Sequence, residues 1–251
     1  MFTYEKTQVL FLGGMVMAKY KIADTVFEIL TVSDYTQHLC KDFLVEDLKA
    51  EHTIKTTVEE VREEMKKEPN FPGVYIESLV VFRRLCDYLL QKKKGIIFHS
   101  SAIIVNGEAY LFTAPSGTGK STHARLWREL LKEKAVMLND DKPLIRQIGN
   151  QFIAYGSPWN GKHKLGANVS APIKAICVLE QAKENKITKI SPKEMLPVVI
   201  NQTMYPNNEE KVDKMLNLLD GLLKTVNLYK LQCNVSLESA ELSFNVMSKG
   251  E

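Results

Sequence analysis

The segment with the clearest capacity for chemistry is the run Ala114-Pro115-Ser116-Gly117-Thr118-Gly119-Lys120-Ser121. It fits the Walker A pattern, with alanine in the first position. Its glycines allow backbone N–H groups to turn toward phosphate oxygens, and a helix that begins here would point its positive end at the same anion. Lys120 would reach the β- and γ-phosphates, and the Ser121 hydroxyl would hold Mg²⁺. The predicted nucleotide-binding residues are Ser116, Gly117, Thr118, Gly119, Lys120, Ser121 and Thr122.

Two adjacent carboxylates, Asp140 and Asp141, follow a short apolar run and lie 20 and 21 residues after Lys120. In a P-loop enzyme an acid in this place is expected beside the metal ion. We predict that Asp140 binds Mg²⁺ together with Ser121, and that Asp141 accepts the proton of an attacking hydroxyl. Which of the two aspartates is the base stays open. A solvated turn is the alternative interpretation, because Asn-Asp-Asp is common at such turns.

His99 lies 21 residues before Lys120, ahead of a predicted strand pair that leads into the phosphate loop. Together, His99, the strand pair, the loop and Asp140-Asp141 resemble HPr kinase/phosphorylase, a family that shares a P-loop superfamily with phosphoenolpyruvate carboxykinase. The resemblance covers about residues 95 to 180. It implies that His99 contacts the transferred phosphate or the acceptor, and that Asp141 acts on the acceptor hydroxyl.

The sequence departs from HPr kinase in the residues after the loop, where Thr122 and His123 replace an acidic residue. A second signature segment of that family is also missing toward the C-terminus. The chain looks more like shorter HPr-kinase-like proteins found beside peptide-modification genes, including lasso-peptide kinases. This similarity implies a hydroxyl-bearing peptide, protein or small molecule as the phosphate acceptor.

A loop rich in turn-forming residues runs from Gly156 to Lys164. It carries Trp159, a histidine and two lysines. We predict that Lys162 neutralises charge on the transferred phosphoryl group, as a cation close to the reaction would. A surface loop with Trp159 packed for stability is the alternative interpretation.

The elements that must position these residues are strands alternating with helices from about residue 95 onward. The predicted strands are 95–99, 101–105, 108–113, 135–138, two strands within 143–156 that turn at Gly149-Asn150, 173–179 and 227–231. The predicted helices are 122–132, 192–203, 209–223 and 236–247. The fold class is therefore α/β, and the resemblance implies a P-loop kinase core of the HPr kinase/phosphoenolpyruvate carboxykinase type, with a mixed sheet and flanking helices, over residues 96–251.

Residues 1–95 are predicted to form a smaller N-terminal α+β segment without a catalytic signature. It contains a predicted strand at Val26–Val32 and predicted helices at Thr57–Lys67 and Ile76–Gln91. The apolar run Val9–Ala18 is broken by two glycines, so we interpret it as a buried strand rather than an export signal, and it is too short to span a bilayer.

The composition excludes several classes of protein. The 251 residues are 45% hydrophobic with a formal net charge of +3, which is typical of a globular protein and too balanced to indicate a nucleic-acid partner. None of the 4 cysteines lies in a C-x-x-C pair, so no zinc or redox site is indicated. We expect a cytoplasmic protein without a membrane partner, and the sequence leaves a homo-oligomer open.

These features predict a phosphotransferase that uses ATP and Mg²⁺ to phosphorylate a hydroxyl. Asp141, His99, Lys120 and Lys162 are its predicted catalytic residues. Two alternatives remain: a nucleotide-binding regulatory protein without transfer, and a carboxykinase-like lyase. The sequence leaves open the acceptor, any reverse reaction with phosphate, and a donor other than ATP.

Overall fold

The computed structural model describes residues 16–161 and 163–250. The chain divides into two compact units between Asp87 and Tyr88. Within the described residues, no helix is both long enough and apolar enough to cross a lipid bilayer.

The first unit contains a small mixed sheet. Its strands are β1 (Val16–Ile22), β2 (Thr25–Thr31), β3 (Leu44–Val45) and β4 (His52–Lys55), and its helices are α1 (Tyr35–Leu39), α2 (Val58–Lys67) and α3 (Gly73–Lys93), the last of which continues past Asp87. The strands lie in the order β3-β1-β2-β4, with β1 antiparallel to β2 and β3, and β4 parallel to β2. The predicted strand and both predicted helices are present here as β2, α2 and α3. Residues 9–15 of the predicted Val9–Ala18 strand lie outside the described residues, and β1 begins at Val16.

A buried carboxylate on α3, Glu77, joins separate parts of this unit. It is 1% exposed. Its Oε1 accepts the N–H of Val32 at 2.7 Å and the Thr56 hydroxyl. Its Oε2 accepts the N–H of Ser33 at 3.1 Å and the Ser33 hydroxyl. The carboxylate therefore pairs with polar groups that follow β2 and β4.

The second unit contains strands β5 to β13 and four of the helices described here. The strands are β5 (Gly95–Ile97), β6 (Ser101–Val105), β7 (Glu108–Thr113), β8 (Ala135–Asn139), β9 (Leu144–Ile148), β10 (Gln151–Tyr155), β11 (Ser170–Gln181), β12 (Lys186–Lys189) and β13 (Asn227–Cys233). The helices are α4 (Lys120–Leu131), α5 (Pro192–Asn201), α6 (Glu209–Thr225) and α7 (Leu237–Lys249). Every strand and helix predicted for this region is present; the short polar strand β12 was not predicted.

The strand order brings the predicted site residues to one edge of the sheet. The order is β5-β9-β10-β11-β7-β6-β8, and β13 lies beside β11 with β12 at its other side. Strand β6 is antiparallel to both β7 and β8, so β7 and β8 run in the same direction. The phosphate loop follows β7, the two aspartates follow β8, and His99 precedes β6. All three segments therefore lie at the same edge.

Two hydrophobic clusters cover the two faces of this sheet, as alternation along a buried strand requires. Leu111 of β7 belongs to the cluster that contains Met195 of α5 and Leu219 of α6. Its neighbour Phe112 belongs to the cluster that contains Trp127 of α4 and Ala240 of α7. The second unit is thus a mixed α/β structure with helices on both faces, which agrees with the predicted class.

Candidate active site

The phosphate loop joins β7 to α4, the context that its sequence pattern requires. Gly117 has φ of +82° and Gly119 has φ of +117°, values that other residues rarely adopt. An added Cβ at either glycine would meet no atom within 4 Å, so backbone conformation rather than crowding requires glycine here. Ser116 and Gly117 are exposed, and the loop therefore offers its amides to solvent or to a ligand.

Lys120, the first residue of α4, is folded into this loop. The residue is 8% exposed, and Nζ donates to the carbonyl of Ala114 at 2.8 Å and to that of Pro115 at 3.5 Å. Burial lowers the pKa of Lys120, while the charge of Asp141 acts in the opposite direction. The ammonium group is therefore within electrostatic reach of Asp141.

Asp141 and His99 are in direct contact. His99 Nε2 lies 2.9 Å from Asp141 Oδ1, and Lys142 Nζ forms an ion pair with Asp141 Oδ2. Burial alone would raise the pKa of Asp141, but the hydrogen bonds and charges of His99 and Lys142 outweigh it and hold the pKa at about 2. This carboxylate is consequently ionised at neutral pH. Lys142 was not predicted, since a lysine beside two acids has no distinctive pattern.

Asp140 has a different environment, although it is the next residue in the chain. It is 4% exposed, and its Oδ1 accepts the N–H of Gly161 at 2.7 Å. Its Oδ2 is buried and has no hydrogen-bond partner among the described residues. Burial raises the pKa of Asp140, the Gly161 amide opposes this, and the neighbouring Asp141 charge raises the pKa further.

The buried free oxygen of Asp140 fits a divalent cation, since a cation would supply the partner that Oδ2 lacks. Among the described residues, no group of three or more His, Cys, Asp or Glu side chains could hold a metal ion. Mg²⁺ does not need such a group, because it commonly binds one or two carboxylates together with substrate phosphates and water. The residues present therefore fit Mg²⁺ bound with a nucleotide.

The described residues of the β10–β11 loop, 156–161 and 163–169, contact the end of β8 and Asp140. The N–H of Asp140 donates to Leu165 O at 3.1 Å, and the N–H of Ala167 donates to Leu138 O at 3.1 Å. A Cβ added to Gly156 would lie 1.8 Å from the carbonyl oxygen of Ala167. One added to Gly161 would lie 3.2 Å from Asp140 Oδ2. Close backbone approach thus explains two of the glycines in this loop.

Side chains also join this loop to the aspartates. The Asn139 amide group contacts Ser157 on one side and the backbone of Asp141 and Lys142 on the other. Neither Asn139 nor Ser157 was predicted as a site residue. The only signals in the sequence were the Asn-Asp-Asp and Gly-Ser-Pro-Trp runs, and neither run shows that the two segments meet.

His123 lies on α4 and packs away from the acid pair. It is 3% exposed, and burial lowers its pKa to about 4. Its Nε2 is 3.0 Å from Ser243 Oγ, which also accepts from Trp127 Nε1 at 2.8 Å and donates to Ala240 O at 3.0 Å. Because the single hydroxyl proton of Ser243 goes to Ala240, Nε2 of His123 must carry the proton of the neutral ring. His123 thus packs α4 against α7, which is a structural role.

The other predicted residues have less defined surroundings. Ser121 is exposed and Thr122 half-buried in the first turn of α4. Within residues 88–161 and 163–250, neither hydroxyl forms a hydrogen bond to Asp140 or Asp141. Lys162 lies outside the described residues, so its predicted role stays a prediction.

Comparisons with known proteins give a match to a protein family and similarities to solved structures. Residues 77–238 match the protein family described as SynChlorMet cassette protein ScmC. The chain is also similar to the structure of the Hpr(Ser) kinase/phosphatase from Coxiella burnetii, with 13% sequence identity and a TM-score of 0.34 over 61% of this chain and 95% of that one. A similarity this distant assigns no role to any residue. Among curated proteins, none matches the sequence.

Proposed function

The chain belongs to the SynChlorMet cassette protein ScmC family, and we propose, from the geometry of its candidate site, that it is a kinase that transfers the γ-phosphoryl group of ATP to a hydroxyl. The matched residues 77–238 include every candidate site residue named above. The proposal therefore concerns the part of the chain that defines its family membership.

One observation carries the proposal: a Walker A loop, a buried carboxylate with one oxygen unpaired among the described residues, and a His–Asp pair lie at the same edge of one sheet. A phosphate loop alone would support nucleotide binding without chemistry. The Asp141 carboxylate, within electrostatic reach of Lys120, adds a group that can act on an acceptor. This combination favours transfer over a purely regulatory role.

Nucleotide binding would use the loop and Lys120. The amides around Gly117 and Gly119 and the N-terminus of α4 attract the phosphate oxygens. The Lys120 ammonium, which donates to Ala114 O, would exchange that carbonyl for a phosphate oxygen. Such charge-assisted hydrogen bonds are stronger than those between neutral groups.

The transfer step would begin with the acceptor hydroxyl near Asp141. Its oxygen attacks the γ-phosphorus, the new P–O bond forms, and the bond to the bridging oxygen of ADP breaks. The hydroxyl proton passes to the Asp141 carboxylate, which His99 and Lys142 hold in place. A carboxylate with a pKa of about 2 is a weak base, but the transition state of phosphoryl transfer is loose and depends mostly on positioning and charge.

Asp140 and Ser121 are the residues that would hold Mg²⁺. When bound, the ion neutralises charge on the phosphate oxygens of the nucleotide. The Gly161 amide occupies one oxygen of Asp140 and leaves the other for the metal. Lys162, the residue after Gly161, is proposed to add positive charge near the transferred group.

The acceptor is proposed to be a hydroxyl of a peptide, a protein or a small molecule. The test is incubation of the protein with Mg²⁺, γ-labelled ATP and candidate acceptors, including serine-containing peptides. The expected result is labelled acceptor in the wild type and none in Asp141→Asn, with the same variant still binding nucleotide in calorimetry. Nucleotide binding without label transfer to any acceptor would favour the regulatory alternative, and no heat of nucleotide binding would refute both.

A further inference from the structure

Asn139 is fully buried at the end of β8, and every polar atom of its side chain is used. The residue is 0% exposed. Its Oδ1 accepts the N–H of Asp141 at 2.8 Å and that of Lys142 at 2.6 Å. Its Nδ2 donates to Ser157 O and to Ser157 Oγ, both at 3.1 Å. One amide therefore joins the turn of the aspartates to the β10–β11 loop.

Ser157 strengthens this connection from the other side. It is 1% exposed, and its hydroxyl donates to the carbonyl of Lys142 at 2.6 Å. The hydroxyl thus accepts from Asn139 and donates across to the segment that follows Asp141. Buried polar networks with all members satisfied are rigid and fix one arrangement of the segments that they join.

The consequence of this connection appears at Asp140. Four residues after Ser157, the N–H of Gly161 donates to Asp140 Oδ1 at 2.7 Å. This bond selects which carboxylate oxygen is occupied and leaves the buried Oδ2 without a partner among the described residues. Displacement of the loop would free Oδ1 and allow the carboxylate to rotate.

We propose that Asn139, acting through Ser157 and Gly161, is a positioning residue that aims Asp140 at the metal ion of a metal–nucleotide complex. This inference rests on the proposed function, because it needs a nucleotide whose phosphates share the metal. Mutation of a residue that orients a metal ligand by hydrogen bonding typically lowers metal affinity or activity about 10- to 100-fold.

Two variants test this chain of contacts. Asn139→Asp keeps an acceptor for the N–H groups of Asp141 and Lys142, but a carboxylate oxygen then faces the Ser157 carbonyl, and both donors are lost. Ser157→Ala removes only the hydroxyl and is the milder change. Their matched controls are Asn227→Asp, in which a strand asparagine loses its bond to Lys174 O, and Ser239→Ala, in which a fully buried serine loses its bond to Ser236 O.

The measurement is calorimetric affinity for ATP with Mg²⁺ and with EDTA, supported by Mn²⁺ binding followed by electron paramagnetic resonance in the presence of ADP. For Asn139→Asp and Ser157→Ala, we expect the ratio of the ATP affinity with Mg²⁺ to the ATP affinity in EDTA to fall about 10-fold or more. Affinity in EDTA should stay within about 2-fold of the wild type, since the phosphate loop is untouched. Both control variants should keep the full metal-dependent gain.

The outcomes separate this inference from the function on which it rests. A wild type that binds no nucleotide would overturn both. If the wild type shows a metal-dependent gain in ATP affinity and both Asn139→Asp and Ser157→Ala keep that gain, the positioning role alone is overturned. If Asn139→Asp fails to fold, Ser157→Ala decides the question, with its affinity in EDTA as proof of an intact loop.

Discussion

The two sides of the candidate site carry opposite charge and are built in different ways. The cationic side is local: Lys120 Nζ bonds to a carbonyl six residues away, and two glycines with positive φ shape the loop. The anionic side is assembled from distant segments: Asp140 bonds to a residue 21 positions away and Asn139 to one 18 positions away. In the proposed mechanism, direct contact with the phosphates depends on one short segment, whereas the metal ion and the proton transfer depend on residues that tertiary structure brings together.

The largest expected effect distinguishes Asp141, on the anionic side, from Lys120, on the cationic side. Asp141→Asn should lower phosphoryl transfer about 10³-fold, because it removes the proposed proton acceptor, and should leave nucleotide affinity nearly unchanged. Lys120→Met should instead weaken nucleotide binding about 10- to 100-fold, as expected when a charged hydrogen-bond donor is lost. Single-turnover kinetics and calorimetry measure the two quantities. Equal losses of affinity in both variants would mean that the two sides are not functionally separate.

Glycine substitutions should affect stability differently on the two sides. Gly156→Ala forces a Cβ to 1.8 Å from the backbone oxygen of Ala167, which should cost about 3 kcal/mol of unfolding free energy. Gly117→Ala meets no atom within 4 Å and suffers only from its positive φ, which should cost about 1 kcal/mol. Urea denaturation of both variants provides the measurement. A larger loss for Gly117→Ala would show that the loop is more tightly packed than its surroundings indicate.

As the pH falls, the first loss of stability should come from His123 on α4, the helix that follows the phosphate loop. The pKa of His123 is about 4 in the folded protein and 6.5 as its ordinary value, so the unfolded chain binds more protons between these values. The contribution of His123 to the free energy of unfolding is fully present above pH 6.5 and is lost as the pH falls toward 4. Between about pH 7 and pH 5 the wild type should lose roughly 2 kcal/mol of unfolding free energy through this group. His123→Leu should lack this loss when urea denaturation is repeated at each pH.

The smallest expected effect belongs to the anionic side at lower pH. The pKa of Asp141 is about 2, below its ordinary 3.8, so its stabilisation is present above pH 3.8 and is lost as the pH falls toward 2. The difference in unfolding free energy between the wild type and Asp141→Asn should shrink by about 1 kcal/mol from about pH 5 to pH 3. A difference that stays constant over this interval would mean that His99 and Lys142 do not stabilise the ionised carboxylate.

The same contrast explains what could be predicted from the sequence. The phosphate loop is encoded in consecutive residues, and the apolar strand before it and the helix after it were predicted from local patterns. The aspartates became candidates because they end an apolar run after a phosphate loop, and His99 because of the resemblance to a known family. The structure brings His99 and Asp141 into contact. Their chemical roles remain proposals.

Other features had no local signal. The bond between Asn139 and Ser157 depends on how β8 and the β10–β11 loop meet, and sequence periodicity contains no such information. The strands β3 and β4 are short and partly exposed, so they lack the alternation that identifies a strand. The opposite pKa shifts of Asp140 and Asp141 likewise arise from tertiary surroundings rather than from residue type.

Because the buried Glu77 carboxylate lies on α3, it limits how far the N-terminal region can be shortened when it is expressed as an independent fragment. A piece that stopped before Gly73 would keep the four described strands of its sheet, yet the amides of Val32 and Ser33 and the hydroxyl of Ser33 would lose the Glu77 carboxylate as their acceptor. Arg84 also donates to the backbone of β4 at Lys55. A truncation that is meant to fold should therefore retain the part of α3 that carries Glu77, and one that ends before Gly73 should be recovered as an unfolded or aggregated product.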